Sequence, residues 1–445
     1  MSRPTTLSGF PEWLPGQRIV EQHVVDHLRR TFELHGFASL ETRAVEPLEQ
    51  LERKGDIQKE VYVLRRLHAA EGDSDSGLGL HFDLTVPFAR YVLEHAGHLE
   101  MPFRRYQIQK AWRGERPQEG RYREFLQADI DVVDRDSLPF HYDVEVAVVV
   151  AEALRGLPIP PVTVQVNNRK LAEGFFRGVG ATDPDAALRA VDKLDKVGPD
   201  GVLRLLTAEA GVTEEAARRC LEMASIRTAD TSFVDRVRAL GVSDPLLDEG
   251  LDELTQVVEG AHAVAPGVLV ADLRIARGLD YYTGTVYETA MVGHEDLGSI
   301  CSGGRYDALA SDGRTTYPGV GVSIGVSRIL GRLLGRGLVA ASRSVPTCVL
   351  VAVDSEETRR AADDVATALR ARGIPCEVAP SAARYGRQIR HADRRGIPYV
   401  WFPGDGSVRD IRSGEQTPAD PAKWEPSDED RYPSVTAVQP EETGT

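Results

Sequence analysis

The sequence predicts an α+β fold in which an antiparallel sheet with its helices is interrupted by a helical insertion and followed by a C-terminal α/β domain. Three stretches of the chain carry this prediction. Residues 103–132 alternate apolar and polar side chains along two strands that a charged loop joins. Residues 168–266 are rich in alanine, leucine and paired charges, which is typical of helices. Residues 347–402 alternate strand and helix patterns, which indicates a partly parallel sheet.

Length and composition limit the class of protein. The 445 residues exceed one ordinary core, so we expect two or three domains. A net charge of −15 argues against a general nucleic-acid coat, and any RNA contact must use local basic patches. The four cysteines include no CxxC pair, which supports neither a zinc finger nor a disulfide framework and fits a reducing cytoplasm. Because no run of about 18 apolar residues occurs, we expect no membrane span and no secretion.

The first elements predict a unit suited to dimer formation. From Arg18, apolar residues recur every fourth position and predict a helix that ends near Gly36. A strand over residues 37–45 follows and closes at Pro47, so the unit offers an apolar stripe and a sheet edge. Residues 57–66 indicate a further strand.

A helix start is predicted at Thr85 because a hydroxyl near the cap is followed by Pro87 in the first turn. Asp83 and Thr85 therefore lie at the mouth of this helix. Simple capping and ligand binding both remain open for them.

The predicted hairpin carries a row of fixed polar side chains. On its first strand Arg105, Gln107, Gln109 and Arg113 share one face, and on its second strand Phe125, Gln127, Asp129 and Asp131 share one face, opposite the core residues Leu126, Ala128, Ile130 and Val132. Such a row suits binding of a small zwitterion and a phosphate. The alternative is the solvated outer face of an antiparallel sheet.

Strands return beyond the insertion and bring aromatic and charged residues together. Arg277 precedes a glycine turn, and Tyr281 and Tyr282 lie on the extended segment that follows. Residues 319–334 predict a strand that enters a helix, with Arg328 near the helix start. The glycine spacing fits neither a P-loop nor a dinucleotide loop, so arginines would hold the phosphates of any nucleotide.

The C-terminal α/β domain carries a basic surface although the chain as a whole is acidic. Its second predicted helix bears one stripe of four arginines, Arg384, Arg387, Arg390 and Arg394. The stripe is either a solvated face or a surface that contacts nucleic-acid phosphates. Residues 417–445 are rich in Pro, Glu and Ser with few apolar residues, and they predict a disordered tail.

With these residues in view, the chain up to about residue 415 resembles the histidyl-tRNA synthetases, which are class II aminoacyl-tRNA synthetases. The helix and strand ending at Pro47 resemble class II motif 1, residues 103–132 motif 2 and residues 319–334 motif 3. More specific are RGLDYYTGTVYE at 277–288 and CSGGRYD at 301–307, together with DLTVP at 83–87. The branch with DLTVP carries aspartate where other members carry the longer glutamate, so its reach to the substrate ammonium needs a water.

The resemblance implies a class II catalytic domain in two parts and a homodimer. The implied segments are the catalytic domain over 1–167 and 267–336, a helical insertion domain over 168–266, a linker over 337–346, an anticodon-binding domain over 347–416 and the tail over 417–445. The implied reaction joins L-histidine to ATP, with Mg²⁺, as histidyl-adenylate and then moves histidine to the 3′ end of tRNA(His). The histidine carboxylate is already a nucleophile, so fixed cations rather than a general base are the natural catalyst.

The resemblance also implies a role for individual residues. Arg113 and Arg277 are the catalytic arginines; Arg113 binds the α-phosphate, Arg277 contacts both carboxylate and α-phosphate, and Arg328 holds the γ-phosphate of ATP. Histidine would be bound by Asp83, Thr85 and Gln127 at its ammonium and carboxylate end and by Asp131, Tyr281 and Tyr282 at its ring. The acceptor end of tRNA would meet Arg116, Gln118 and Arg121, and the anticodon stem would meet Arg387 and Arg390. The protein alone offers no metal site.

Two alternatives come from different classes of protein. One is the paralogous regulatory subunit of ATP phosphoribosyltransferase, which shares the catalytic fold but typically lacks the C-terminal domain and degrades the arginine–tyrosine signature. The other is a non-enzymatic RNA-binding or signalling protein on the same frame, against which the arginines at all three motifs argue. Both predict no ATP–pyrophosphate exchange with histidine.

Overall fold

The computed structural model of the protein describes residues 5–52, 60–68, 77–275 and 281–438. The chain forms two compact units. One contains Met1–Pro11 with Val25–Arg332, and the other contains Glu12–Val24 with Leu333–Thr445. Within the described ranges, no helix has the length and apolar character needed to cross a membrane.

The elements up to residue 335 are mixed helices and strands. The strands are β1 Ala38–Ser39, β2 Val45–Pro47, β3 Val63–Leu64, β4 Leu78–Leu80, β5 Phe103–Trp112, β6 Glu124–Val133, β7 Val162–Asn168, β8 Arg227–Thr228, β9 Leu269–Asp272, β10 Thr285–Met291, β11 Cys301–Tyr306 and β12 Gly319–Ile324. The helices are α1 Pro15–Leu34, α2 Leu48–Leu51, α3 Thr85–His95, α4 His141–Arg155, α5 Arg169–Gly178, α6 Pro184–Val191, α7 Leu194–Glu209, α8 Glu214–Ala224, α9 Phe233–Ala239, α10 Pro245–Val264 and α11 Val326–Gly335.

The main sheet has the strand order β1-β5-β6-β12-β11-β10-β7-β9-β8 among the described residues. Its six central strands, from β5 to β7, pair antiparallel, as the sequence predicts. Among the described strands, parallel pairs occur only towards the ends of that order, where β1 joins β5 and β9 joins β7. A small sheet of order β2-β4-β3 lies apart from it.

The hairpin of β5 and β6 is fully paired from Phe103 opposite Val133 to Trp112 opposite Glu124. Ala128, Ile130 and Val132 are buried, as expected for the core face. The polar row is buried too: Arg105, Gln107, Gln127, Asp129 and Asp131 are each less than a tenth exposed. The solvated-face alternative is therefore wrong, since this row is withdrawn from bulk water.

The insertion is helical, as predicted, apart from β8, which pairs with β9 at the edge of the main sheet. The helix α5 starts after Asn168, whose side chain accepts a hydrogen bond from Lys170 N. Helices α5 and α10 cross closely because each contributes a glycine: a Cβ on Gly174 would lie 2.2 Å from Leu247 N, and one on Gly250 would lie 2.1 Å from Leu171 N.

Three predicted boundaries differ from the structure. Helix α1 begins at Pro15 rather than Arg18. The strand expected over 37–45 is divided into the short strands β1 and β2. Of the strand expected over 57–66 only β3 forms, and residues 57–59 lie outside the described residues.

From Leu333 onwards, the second unit is the predicted α/β domain. It contains β13 Val339–Ala341, β14 Val349–Val351, α12 Arg359–Ala371, β15 Cys376–Val378, α13 Tyr385–Arg394, β16 Tyr399–Phe402, β17 Ser407–Asp410, β18 Gln416–Pro418, α14 Asp428–Arg431 and β19 Val435–Ala437. Its sheet has the order β15-β14-β16-β17-β18, with β14 parallel to both neighbours and the rest antiparallel.

The prediction of a disordered tail from residue 417 is wrong for residues 417–438. Trp424 packs edge-on against Trp401 and Tyr399, at ring distances of 5.7 and 5.1 Å. Asp430 pairs with Arg412 at 2.7 Å, and β19 pairs with β13 inside the segment expected to be a linker. One large aromatic side chain and a few ion pairs anchor a segment whose average composition is polar. Residues 439–445 lie outside the described residues.

Candidate active site

Two adjoining cavities, of about 590 and 490 Å³, lie over the polar row of the central sheet. Both are lined by Arg113, Gln127, Ser302 and Ser323. The larger cavity adds residues of the β5–β6 loop and Arg328. The smaller adds carboxylates and tyrosines, namely Asp83, Asp129, Asp131, Tyr281, Tyr282 and Tyr306.

Asp131 is fixed from two directions. Arg105 Nη2 lies 2.6 Å from its Oδ2, and the Tyr306 hydroxyl donates to its Oδ1 at 2.7 Å. The guanidinium of Arg105 also lies 4.3 Å from the centre of the Phe88 ring, so it is held in a buried, partly aromatic environment. Gly321 on β12 makes room for the carboxylate, because a Cβ there would lie 2.0 Å from Asp131 Oδ1. A carboxylate held in one orientation can accept a hydrogen bond from a ligand in a defined direction.

Tyr281 and Tyr282 form one wall of the smaller cavity, with ring centres 4.2 Å apart. Burial, and then the neighbouring Tyr281, raise the pKa of Tyr282 well above its usual value. Its hydroxyl is therefore a neutral group that can donate or accept one hydrogen bond. Gly304 on β11 lets the ring approach, since a Cβ there would lie 2.9 Å from it.

Asp83 and Thr85 both line the smaller cavity at the start of α3. Asp83 Oδ1 accepts a hydrogen bond from Val86 N at 3.1 Å, so Asp83, not Thr85, satisfies the first turn of the helix. The two interpretations left open by the sequence are thus compatible: Asp83 holds the helix start and lines the cavity.

Gln127, Asp129 and Ser323 form a connected group across β6 and β12. Gln127 Nε2 donates to Ser323 Oγ at 2.5 Å, and Ser323 hydrogen-bonds the Asp129 carboxyl, its cross-strand partner. Burial raises the pKa of Asp129 to about 7, against the opposing effect of Arg105. Gln127 Oε1 and Asp129 Oδ1 are buried and have no hydrogen-bond partner in the part of the chain that the structure describes.

The arginines lie towards the larger cavity. Arg113 Nε donates to Phe82 O at 2.9 Å, and its guanidinium lies 5.0 Å from the centre of the Phe125 ring. Arg328 Nη2 donates to Leu297 O at 2.5 Å, close to Gly298. The site therefore has a cationic end and an end rich in carboxylates, with Arg113 at the junction. Arg277 lies outside the described residues, so its role stays a prediction.

The loop between β5 and β6 is closed by reciprocal hydrogen bonds between the backbones of Gln118 and Arg121, at 3.1 and 2.9 Å. Gly120 supplies the positive φ of 70° that this tight turn needs. Arg121 lines the larger cavity and lies 3.4 Å from Glu115, whereas Arg116 and Gln118 are exposed.

In the second unit, the predicted arginine stripe lies on the exposed face of α13, with Arg384 at the residue before the helix. Gln388, on the opposite face, anchors the helix by bonding both the N–H and the carbonyl of Val353. Arg387, His391 and Arg394 line a cavity of about 480 Å³ there, while Arg390 stays on the surface.

Sequence reasoning assigned no role to several residues of the cavity walls. Arg105 was part of the predicted polar row but unassigned, and Tyr306 and Ser323 were missed. The period-2 pattern of β11 and β12 was the available signal, since Tyr306, Ser302 and Ser323 follow from it once the strand order is known. Arg305 is not part of the cavity lining: it is bound to Asp143 at 2.5 Å beneath the sheet.

Comparison with known proteins identifies the family. A family model described as Histidyl-tRNA synthetase matches residues 9–329, and a model described as Anticodon binding domain matches residues 347–417. A histidine–tRNA ligase of Micrococcus luteus is 61% identical across 99% of this chain and 100% of its own. That of Cutibacterium acnes is 59% identical across 98% and 99%.

A solved structure agrees as well. The crystal structure of histidyl-tRNA synthetase from Nostoc sp. PCC 7120 has a TM-score of 0.84 and 34% identity, and the match covers 94% of this chain and 97% of that one. The predicted fold class, a catalytic domain followed by a C-terminal anticodon-binding domain, is confirmed. By sequence and by fold, the chain belongs to the histidyl-tRNA synthetase family.

Proposed function

We propose that this chain is a histidine–tRNA ligase that activates L-histidine with ATP and transfers it to the 3′ end of tRNA(His). The observation that carries the proposal is the division of one continuous cleft into an end lined by arginines and an end lined by carboxylates and tyrosines. An amino acid and a triphosphate need this division, because the ammonium and the phosphates carry opposite charges. The identity of about 60% to histidine–tRNA ligases over nearly full length supports it.

In the first step the histidine carboxylate oxygen attacks the α-phosphorus of ATP, a bond to phosphorus forms, and pyrophosphate leaves with the electron pair. Two anions must meet, so the requirement is positive charge held in place rather than proton removal. Arg113, fixed by Phe82 O and Phe125 at the junction of the cavities, is suited to the α-phosphate. We assign Arg328 to the γ-phosphate and Arg277 to the carboxylate and α-phosphate.

The smaller cavity is suited to an imidazole. Asp131 accepts hydrogen bonds, and Tyr282 carries a neutral hydroxyl, so one can meet a ring N–H and the other the second ring nitrogen. A side chain without these nitrogens would leave buried polar groups unpaired, which strongly disfavours its binding. We assign Asp83, Thr85 and Gln127 to the ammonium and carboxylate end, with Tyr281 as a wall.

Transfer requires that the tRNA is bound. We assign Arg116, Gln118 and Arg121 to its acceptor end, and Arg387 and Arg390 on α13 to the anticodon stem. Mg²⁺ would neutralise pyrophosphate charge when it arrives with ATP; no group of three or more His, Cys, Asp or Glu in the described ranges is arranged to hold a metal ion, so no residue is assigned to it. A homodimer working in the cytoplasm is part of this proposal.

ATP–pyrophosphate exchange with each of the twenty amino acids tests the proposal. We expect exchange with histidine alone, and loss of about 100- to 1,000-fold in kcat for Arg113→Ala, because a preorganised cation is removed. Arg135→Ala, an exposed arginine beyond the end of β6, is the matched control and should retain activity. Absence of exchange with every amino acid, in protein that melts cooperatively, would favour the regulatory-subunit or RNA-binding alternative.

A further inference from the structure

Asp129 is the one carboxylate of the smaller cavity for which the preceding assignments give no role. It lies in the middle of the polar row of β6, between Gln127 and Asp131, and only 2% of its surface is exposed. Asp131 has Arg105 as an ion-pair partner at 2.6 Å, whereas Asp129 makes no ion pair with any described residue. A buried carboxylate without a cation of its own is costly to maintain, which calls for an explanation.

Around Asp129, two acceptor atoms of residues that line the cavity are left without hydrogen-bond partners among the described residues. The Gln127 amide donates to Ser323, and the Ser323 hydroxyl is then available to donate to the Asp129 carboxyl. These contacts use one N–H of the Gln127 amide and the hydroxyl proton of Ser323. They leave Gln127 Oε1 and Asp129 Oδ1 buried, each without a partner among the residues that the structure describes.

The charged groups of the smaller cavity suit a cationic ligand at its carboxylate side. Three carboxylates, Asp83, Asp129 and Asp131, line this cavity, Arg113 lines it at the junction with the larger cavity, and Arg105 pairs with Asp131. Asp83 is near enough to Asp129 to raise its pKa, so the two carboxylates act on a common region. An ammonium group carries three N–H donors and one positive charge, which suit a carboxylate-lined wall and the two acceptor atoms Gln127 Oε1 and Asp129 Oδ1.

We propose that Asp129, with Asp83 and Gln127, binds the α-ammonium of the amino acid and makes the site selective for an amino acid over its deaminated analogue. This inference rests on the proposed function, since it takes histidine as the occupant of the smaller cavity. Asp129 is then a substrate-binding residue, while Ser323 is a positioning residue that orients its carboxyl.

The test compares three ligands that share the imidazole: L-histidine, histamine, which lacks the carboxylate, and 3-(imidazol-4-yl)propionate, which lacks the ammonium. Their binding to wild type and Asp129→Asn is measured by calorimetry at pH 8. The amide places a donor against the ammonium, so we expect roughly 10- to 100-fold weaker binding of histidine and histamine. The deaminated analogue should bind to Asp129→Asn and to wild type with affinities within about twofold of each other. It has no ammonium, so the substitution removes no contact that it makes.

Thermal unfolding of ligand-free protein separates binding from folding. Asp129→Asn should melt at or above the temperature of wild type at pH 8, because it removes a buried charge that has no ion pair. Asp134→Asn, just beyond the end of β6 and outside both cavities, is the matched control and should change neither melting nor binding.

An equal loss for all three ligands, or unchanged binding of histidine, would overturn the role of Asp129. The outcome is independent of catalysis. If wild-type protein binds histidine but exchanges no pyrophosphate, the proposed function fails while the binding comparison still decides whether Asp129 holds the ammonium.

Discussion

Two buried arginine–aspartate pairs lie on opposite faces of the main sheet, and they differ in what surrounds them. Arg305 and Tyr306 are neighbours on β11, so their side chains point to opposite faces. Arg305 binds Asp143 at the start of α4, while the Tyr306 hydroxyl reaches Asp131, the partner of Arg105.

The pair below the sheet is closed. Arg305 contacts Asp143 through both Nε and Nη2, and Nη1 and Nη2 also donate to the carbonyls of Leu138 and Pro139. The pair above the sheet borders a cavity that a ligand can enter. The same two residue types therefore serve structure where protein atoms complete the hydrogen bonding, and binding where a cavity adjoins them.

The largest effect should come from the closed pair. Arg305→Met leaves the Asp143 carboxylate buried without its partner and should lower the free energy of unfolding by about 3–5 kcal/mol. Urea-induced unfolding measures it, with Arg135→Met as an exposed control. Histidine affinity of the folded fraction should change by less than about twofold, since the cavity is on the other face. A loss below about 1 kcal/mol would mean that the Arg305–Asp143 pair does not stabilise the fold as a buried ion pair should.

A substitution in the Arg105–Asp131 pair, which borders the cavity, should lower activity rather than stability. Asp131→Asn keeps one oxygen for Arg105 but changes the group offered to the imidazole, so kcat/KM for histidine should fall about 100-fold. The KM for ATP should stay near that of wild type, and pyrophosphate exchange measures both. If the variant lost stability as Arg305→Met does while keeping kcat/KM, the division between the two faces would be wrong.

The pH dependence of binding sharpens the comparison, because Asp129 lacks the cation that Asp131 has. Burial raises the pKa of Asp129 to about 7, so below that pH its protonated form no longer attracts an ammonium. Between pH 8 and 6 the affinity for histamine should fall about tenfold more in wild type than in Asp129→Asn. The groups that face Asp129 are Arg105 from β5, Asp131 on its own strand, Asp83 before α3, Ser323 on β12 and Cys301 on β11.

Ionisation of Asp129 with rising pH strengthens binding of the ammonium but lowers the stability of the ligand-free fold. Because the folded-state pKa of Asp129 lies above its unfolded value, its contribution to stability is present below the unfolded pKa and is lost as pH rises through about 7. Wild type should therefore lose more stability than Asp129→Asn between pH 5 and 8, measured as melting temperature without ligand. Parallel curves would show that Asp129 titrates normally.

Much of this site could be predicted from the sequence because successive side chains of a strand point to opposite faces of the sheet. The alternation along β5 and β6 places Gln127, Asp129 and Asp131 on one face without any knowledge of the fold. The pairing of Arg105 with Asp131 and the approach of Tyr306 could not be predicted this way, since both depend on register and strand order.

The C-terminal segment shows where composition misleads. The average composition of residues 417–445 is too polar to predict packing, yet Trp424 packs against Trp401. A single aromatic side chain buries a large apolar area, which a window average dilutes. In the same way β8, two residues long, was hidden inside a helical pattern, although it extends the main sheet.

The smallest effects are expected from removing one tyrosine hydroxyl on each face of the sheet, and these two substitutions are also the most closely matched pair. Tyr306 donates to Asp131 above the sheet, and Tyr287 donates to the backbone carbonyl of Asp143 below it, each at 2.7 Å. Replacing either by phenylalanine removes one hydroxyl and leaves the ring, at a cost of about 1 kcal/mol. Tyr306→Phe should express that cost mainly as a roughly fivefold higher KM for histidine, and Tyr287→Phe mainly as a lower melting temperature. If both variants shifted melting equally and neither changed KM, the hydroxyl of Tyr306 would be structural, and the role of Asp131 in binding the ring would lose its geometric support.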